Sequence, residues 1–167
     1  TKRILDVYKA LLPKISQTEQ EAIDAGNVWW DAELFTGNPN WELLRSNPKA
    51  ELPAEEQAFL DGPVNELCEM IDEWKVAHKD YDLPQEVYDF VKEKGFFSFI
   101  IPKEYGGLDF SPLGLIHVMA KVGSRSGTLA SMVGVPNSLG PAELLMHYGT
   151  DEQKKELLPK LASGEHV

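Results

Sequence analysis

The four histidines and the single cysteine are the residues best suited to hold a metal ion or to activate a nucleophile, and their spacing supports neither role. His78, His117, His147 and His166 form no i, i+4 pair, and Cys68 has no second cysteine at the short separations that metal sites use. No Gly-x-Ser-x-Gly elbow occurs, and Cys68 falls on an apolar helical stripe where a lone thiol acts as a small hydrophobe. The acidic residues are the remaining pool for a general base. Glu19, Glu21, Glu55, Glu56, Glu69, Asp72, Glu73, Asp151 and Glu152 fall on polar helix faces or in first turns, where carboxylates complement the helix dipole and stay solvated. Glu104 lies just before Gly106-Gly107, but Pro102 and the two glycines mark a sharp turn with Tyr105 packed beneath it rather than a catalytic loop. Gly123-Ser-Arg-Ser-Gly127 has the glycines and the charge of a phosphate cradle. It lacks a preceding strand and a following Gly-Lys-Ser/Thr, so it reads as a turn between helices.

One stretch points to binding rather than catalysis. From Thr128 to Gly140, small residues (Ala130, Ser131, Gly134, Ser138, Gly140) are mixed with apolar ones (Met132, Val133, Val135, Leu139). Small side chains let a second backbone or a flexible apolar ligand approach closely, and on pattern alone tight helix packing and a ligand groove stand as equal alternatives.

The elements that must position these residues are helical throughout. Ile4, Leu5, Tyr8, Leu11 and Leu12 share one face of a helix from Lys2 that stops at Pro13. Thr18 to Glu21 reads as a capping box opening a helix through Ala22, Ala25, Trp29 and Ala32, with Gly37 as its stop. Residues 38–53, with three prolines, read as a surface loop and not as a domain boundary. Helical spacing returns at Ala54, and Val64, Leu67, Cys68, Ile71 and Trp74 share a face after Asp61-Gly-Pro63, where Pro63 kinks the helix or restarts it with Asp61 as cap. A short helix runs from Pro84 to Gly95. Ser111-Pro112 opens one bearing Leu113, Ile116, Met119 and Ala120. Others are expected from about Gly127 to Leu139, from Pro141 to Tyr148, and from the capping box Thr150-Asp-Glu-Gln153. Only Phe96 to Ile101 is ambiguous between strand and helix, so the fold class is all-α, with eight or nine helices in a bundle.

Composition sets the outer bounds. With 167 residues and 43% hydrophobic side chains, the chain is long enough to bury one substantial core. A formal charge of -11 argues against nucleic acid or an anionic membrane as partner. The lone cysteine excludes an internal disulfide and fits a reducing compartment such as the cytoplasm. The longest central apolar run is far short of the ~20 residues that span a bilayer. The first residue is Thr rather than Met, which leaves room for an upstream targeting or anchoring segment.

Three motifs occur in fixed order: Ile-Pro-Lys-Glu-Tyr-Gly-Gly at 101–107, Asn137-Ser-Leu-Gly-Pro141, and Gly149-Thr-Asp-Glu-Gln-Lys leading to Ala162-Ser-Gly-Glu165. Together they resemble the N-terminal helical domain of the acyl-CoA dehydrogenase family over about residues 84–165, roughly half the chain. Asn27-Val-Trp-Trp-Asp31 and Glu55-Glu-Gln-Ala-Phe-Leu-Asp-Gly-Pro63 resemble the extended N-terminal region of its bacterial long-chain branch. The resemblance implies that 1–167 is an N-terminal helical domain, with 1–83 a family-specific extension with the first helices and 84–167 the core motif region, the β-domain and C-terminal domain being absent. It also implies FAD in the full-length enzyme but none bound by this chain alone, oxidation of fatty acyl-CoA to trans-2-enoyl-CoA, an electron-transferring flavoprotein as partner, and a homo-oligomer. In the family this domain forms one wall of the acyl-chain tunnel. By position Ser131, Val135 and Leu139 are the expected substrate-binding residues, while the catalytic base and the flavin motifs fall beyond residue 167. An acyl-CoA oxidase domain and a stand-alone helical interaction module are the alternatives. Location is expected to be cytoplasmic, with membrane association through a segment upstream of residue 1. If the surface around Met132, Val135 and Leu139 normally meets other domains, the chain alone should self-associate and bind a hydrophobic dye.

Overall fold

A computed structural model of the chain describes residues 2–11, 16–26, 29–138 and 140–166, and every described element is helical or a turn. The chain divides into two compact units, 1–49 and 50–167, the division falling inside the stretch read above as a continuous loop.

The first unit comprises α1 (Lys2–Leu11), α2 (Gln17–Ala25), a 3-10 turn (Trp30–Thr36) and α3 (Trp41–Arg45). The predicted stop of α1 at Leu12-Pro13 lies outside the described residues. The capping box of α2 forms two residues earlier than the spacing suggested. Ser16 Oγ accepts from the Glu19 amide at 3.3 Å, and Glu19 Oε2 accepts from the Ser16 amide at 2.7 Å, which holds the Glu19 carboxyl below its usual range. The helix predicted to continue to Gly37 is in fact two elements. α2 ends at Ala25, and Gly37, in the left-handed region at φ 78°, closes the 3-10 turn instead. The loop read over 38–53 also contains α3, because the Asn40 side chain caps it by accepting from the Glu42 and Leu43 amides, each at 3.1 Å. Trp30 packs on Trp41 with ring centroids 5.0 Å apart and donates its indole N–H to the Asn40 carbonyl. Trp30 is buried, and no described side chain of α1 or α3 is.

The second unit holds α4 (Ala54–Asp61), α5 (Pro63–Glu69), α6 (Glu73–Lys75) running into a π turn (Val76–Asp80), and α7 (Gln85–Glu93). After a 3-10 turn at Lys103–Tyr105 come α8 (Pro112–Arg125), α9 (Gly127–Gly134), α10 (Pro141–Tyr148) and α11 (Asp151–Ala162). Pro63 restarts the chain as first residue of α5, but Asp61 does not cap it; its carboxylate accepts from Gln57 and Gly62 is the cap position. The stripe from Val64 breaks at Ile71, so Trp74 lies on a new helix and is 66% exposed. Ile116, expected on the inner face of α8, is also exposed, and Val118 and Val122 turn inward in its place. The cap at Ser111 and the capping box at Thr150 form as the spacing predicts. Between α8 and α9 the Gly123–Gly127 segment is a helix junction, and Arg125 reaches back to donate to the Cys68 and Ile71 carbonyls at the end of α5. Cys68 is half-buried against the core, and that burial pushes its thiol up.

The ambiguous Phe96–Ile101 run is neither strand nor helix. Phe110 donates from its amide to the Phe99 carbonyl, Leu108 to Ser98 and Asp109 to Ile101, so the run folds back on 108–110 around the Lys103–Tyr105 turn. Gly106 takes φ 84°, and a Cβ on Gly107 would sit 1.9 Å from the Ile101 carbonyl oxygen; glycine is required at the first for conformation and at the second for space. Tyr105 is half-buried below, as the turn reading anticipated. Phe59 from α4 meets Phe96, Phe99 and Phe110 at centroid distances of 5.0, 5.5 and 5.3 Å, two of them edge-on, the geometry favoured by ring quadrupoles.

Two carboxylates depart from the solvated reading: Glu73 is half-buried with its Oε2 enclosed and unpaired among the described residues, and Glu56 is buried outright. Glu56 is buried, its Oε1 accepting from the Ser111 amide at 2.6 Å and its Oε2 from the Ser111 hydroxyl at 2.7 Å. A Cβ on Gly114 would collide with Glu56 Oε2 at 2.3 Å, so α8 starts directly on this carboxylate. Both oxygens serve to tie α4 to the first turn of α8.

Candidate functional site

α9 cannot continue past Gly134, because Pro136 has no amide hydrogen and its ring crowds the preceding turn. The helix predicted to reach Leu139 therefore ends early, and residues 135–138 form a turn that splits neighbouring side chains between two environments. Asn137 points inward and is 2% exposed, whereas Val135 points outward and is 57% exposed.

Asn137 is fully used. Its Nδ2 donates to the Phe96 carbonyl at 2.6 Å and to the Val133 carbonyl at 2.8 Å, and its Oδ1 accepts from the Phe99 amide at 2.8 Å. The Phe96–Ile101 segment has no helix to satisfy its backbone, so this side chain supplies what the missing ladder would have supplied. The same three bonds lock that segment to the end of α9.

Between the two lies an open cavity of about 490 Å³, walled by Phe97, Val135, Pro136, Gly140, Ala142 and Leu161, with Pro141 and His166 also on its lining. Its floor needs Gly140, where a Cβ would stand 2.7 Å from the Pro136 carbonyl oxygen. Gly164, at φ 71°, brings the end of α11 against Phe97 and Lys92. The wall is carbon apart from backbone and one imidazole. Such a surface can hold an alkyl chain by excluding water from it. Among the described residues the lining carries one titratable side chain, His166, and no acid and base pair.

Of the three expected site residues, Val135 lines this cavity. Ser131 is exposed one helical turn earlier on the same side of α9; its carbonyl accepts from the Val135 amide, but it is not on the cavity wall. Leu139 lies outside the described residues. Phe97, Ala142 and Leu161 were not picked out by the sequence reading, since each belongs to an apolar pattern that also fits a core position. Asn137 carried a signal of its own: an amide side chain in an apolar stretch and beside a proline must either be exposed or be paired. Among the described residues no three His, Cys, Asp or Glu side chains converge, and no helix is long and apolar enough to cross a membrane.

Residues 54–165 match the sequence profile described as acyl-CoA dehydrogenase, N-terminal domain. The chain is also similar to a probable acyl-CoA dehydrogenase, FadE10, of Mycobacterium tuberculosis, being 32% identical over 135 residues that cover 79% of this chain and 20% of the relative. The (2S)-methylsuccinyl-CoA dehydrogenase of Cereibacter sphaeroides is 37% identical over 87 residues, 52% of this chain and 16% of the relative. A mitochondrial isovaleryl-CoA dehydrogenase of Solanum tuberosum is 36% identical over 96 residues, 56% of this chain and 23% of the relative. The chain thus spans about a fifth of the length of the curated relatives it matches. The mycobacterial match is too long to fit between Ala54 and Val167, so it extends into the preceding unit. Profile, identity and the all-helical fold agree: the chain belongs to the acyl-CoA dehydrogenase family, whose N-terminal domain it carries at residues 54–165.

Proposed function

We propose that residues 1–167 are the N-terminal helical part of an FAD-dependent enzyme that oxidises fatty acyl-CoA to trans-2-enoyl-CoA in β-oxidation, and that the cavity beside Val135 is one wall of its acyl-chain tunnel. In this reading 1–83 are a branch-specific extension with the first helices and 84–167 the core motif region. The whole enzyme passes its electrons to an electron-transferring flavoprotein and works as a homo-oligomer in the bacterial cytoplasm. The observation that carries the reading is the exposure of Val135, an apolar side chain held outward over a carbon-lined cavity by a turn whose next polar residue is locked inward.

The oxidation removes a proton from the acyl α-carbon and a hydride from the β-carbon, and a flavin supplies the hydride acceptor. The cavity lining does not fit a flavin, because among the described residues it lacks the several donors that a pyrophosphate and a ring system require. What this part contributes is binding: it desolvates the alkyl tail and limits its depth. Ser131 and Leu139 are proposed as further parts of the tunnel wall, Ser131 one turn back along α9 and off this cavity's lining. One feature supports a fatty acyl substrate over the short branched acyl groups named for two relatives: the outward Val135 stands on an open, carbon-lined cavity of about 490 Å³.

The test is Val135→Trp in the whole enzyme, with kcat/KM measured over a series of saturated acyl-CoA chain lengths. The expected loss grows with chain length, since a pocket rejects each excess methylene at ~1 to 3 kcal/mol. An equal loss at every length would mean that Val135 packs against protein and not against substrate.

A further inference from the structure

The formal charge of -11 describes the chain as a whole and conceals one segment of opposite character. α1 carries three basic residues, Lys2, Arg3 and Lys9, against one acidic residue, Asp6. At 3.6 residues per turn, Ile4, Leu5, Val7, Tyr8 and Leu11 fall on one continuous face. Lys2 and Asp6 fall opposite, and Arg3 and Lys9 stand at the two margins of the apolar face. All five apolar side chains are exposed, from 49% at Leu5 to 78% at Leu11, and α1 buries nothing.

We propose that α1 lies in the surface of an anionic lipid bilayer, its apolar face in the acyl boundary and its basic margins on the headgroups. Cations at both edges of an apolar face are what such a surface selects, because their stems run along hydrocarbon while their charged ends reach phosphate. Tyr8 suits the same boundary, with an apolar ring and a polar tip. Ten residues rise only ~15 Å, half of a ~30 Å hydrocarbon core, so the helix lies on the membrane rather than across it. A second copy of α1 is a poorer occupant. It would bring the same basic margins together, and one face of a three-turn helix falls far below the ~800 Å² per partner that a standard protein interface buries. The rest of the chain is acidic and is repelled by the same bilayer, so α1 acts as a local anchor with a steep dependence on salt.

The test is co-sedimentation of the 167-residue chain with vesicles of phosphatidylcholine containing one-third phosphatidylglycerol, and with pure phosphatidylcholine vesicles. Binding is expected on the anionic vesicles, at least tenfold weaker on the neutral ones, and lost in high salt. Leu5→Asp/Leu11→Asp should lower it at least tenfold, as should Lys2→Glu/Lys9→Glu. Because no α1 side chain is buried, circular dichroism should show the other helices intact in both variants. Ile116→Asp, exposed in the other unit, should leave binding unchanged. The proposal is overturned if the chain ignores anionic vesicles, if the α1 variants bind as well as the parent, or if light scattering shows that those variants convert a vesicle-indifferent dimer to a monomer. None of these outcomes bears on Val135, so the anchor and the tunnel wall stand or fall separately.

Discussion

Lys2–Leu11 and Phe96–Ile101 are both rich in large apolar residues, yet one buries nothing and the other is the centre of a core. Ile4, Val7 and Leu11 of α1 are each more than 60% exposed, while Phe96, Phe99 and Ile101 are at 0%. Their backbones explain the contrast. α1 pairs its central amides and carbonyls along its own length and leaves those at its ends to water, so its backbone does not oblige it to seek a protein partner. The 96–101 run has no internal ladder. It is stable only where Asn137 and the 108–110 backbone meet its polar groups, and those partners lie in the interior. The need for hydrogen bonds, more than hydrophobicity, decides which of the two apolar segments is buried.

The largest test of this contrast is Phe99→Ala, which removes a ring that touches Phe59, Phe96 and Phe110. Urea unfolding followed by circular dichroism should show a loss of about 3 to 5 kcal/mol, the range for truncating a buried aromatic ring. A smaller effect, under about 1 kcal/mol, would mean that the aromatic cluster collapses freely around the gap.

Next in size is Asn137→Ala, which orphans the buried Phe99 amide and the Phe96 carbonyl. Each buried group left unpaired costs about 1 to 3 kcal/mol. Asn137→Asp sharpens the point, because it keeps the acceptor for Phe99 but removes both donors, and it should be no better tolerated than alanine. If the aspartate variant unfolds at the parental urea concentration, the Nδ2 bonds to Phe96 and Val133 contribute nothing and the account of the buried segment is wrong.

A cap outside the aromatic core gives an intermediate scale. Thr150→Ala deletes the acceptor for the Gln153 amide and half of the capping box of α11, with an expected cost of about 1 kcal/mol in the same unfolding experiment. At the small end, Leu5→Ala in α1 should change stability by no more than about 0.5 kcal/mol in buffer without lipid, as for exposed positions in general. A loss comparable to that of Phe99→Ala would show that α1 is packed in the folded chain and would remove the contrast.

Much of the fold was legible because helix signals are local. Ser111-Pro112, Thr150 with Gln153, and the stop at Gly95 each involve residues within one turn of each other, and each forms where the spacing put it. The errors arose where two local signals compete or where a distant partner decides. Ser16 and Thr18 both precede a glutamate at the spacing of a capping box, and Ser16 with Glu19 forms it. Glu56 looked like any first-turn carboxylate. It is buried because Ser111, 55 residues later, presents an amide and a hydroxyl to it, and because Gly114 leaves room. Trp74 continued the stripe of α5 on paper, but the break at Ile71 turned it outward.

The candidate site divides in the same way. Val135 is singled out in the sequence by the mix of small and apolar residues around it and by motifs that resemble a known family, and its place on the cavity lining comes from the structure. That Asn137 is the hinge between two walls, that Gly140 touches the Pro136 carbonyl, and that Phe97 and Leu161 face one cavity are facts about residues far apart in the chain.

By itself, then, the sequence determined the all-helical class, where most helices of the second unit start, and the family, since helix starts are set within about one turn and the motifs stand in fixed order. Only the tertiary structure decided which apolar residues are buried, which carboxylate is buried, and where the cavity opens. Those outcomes depend on polar groups finding partners across tens of residues, and no periodicity in the chain encodes such a meeting.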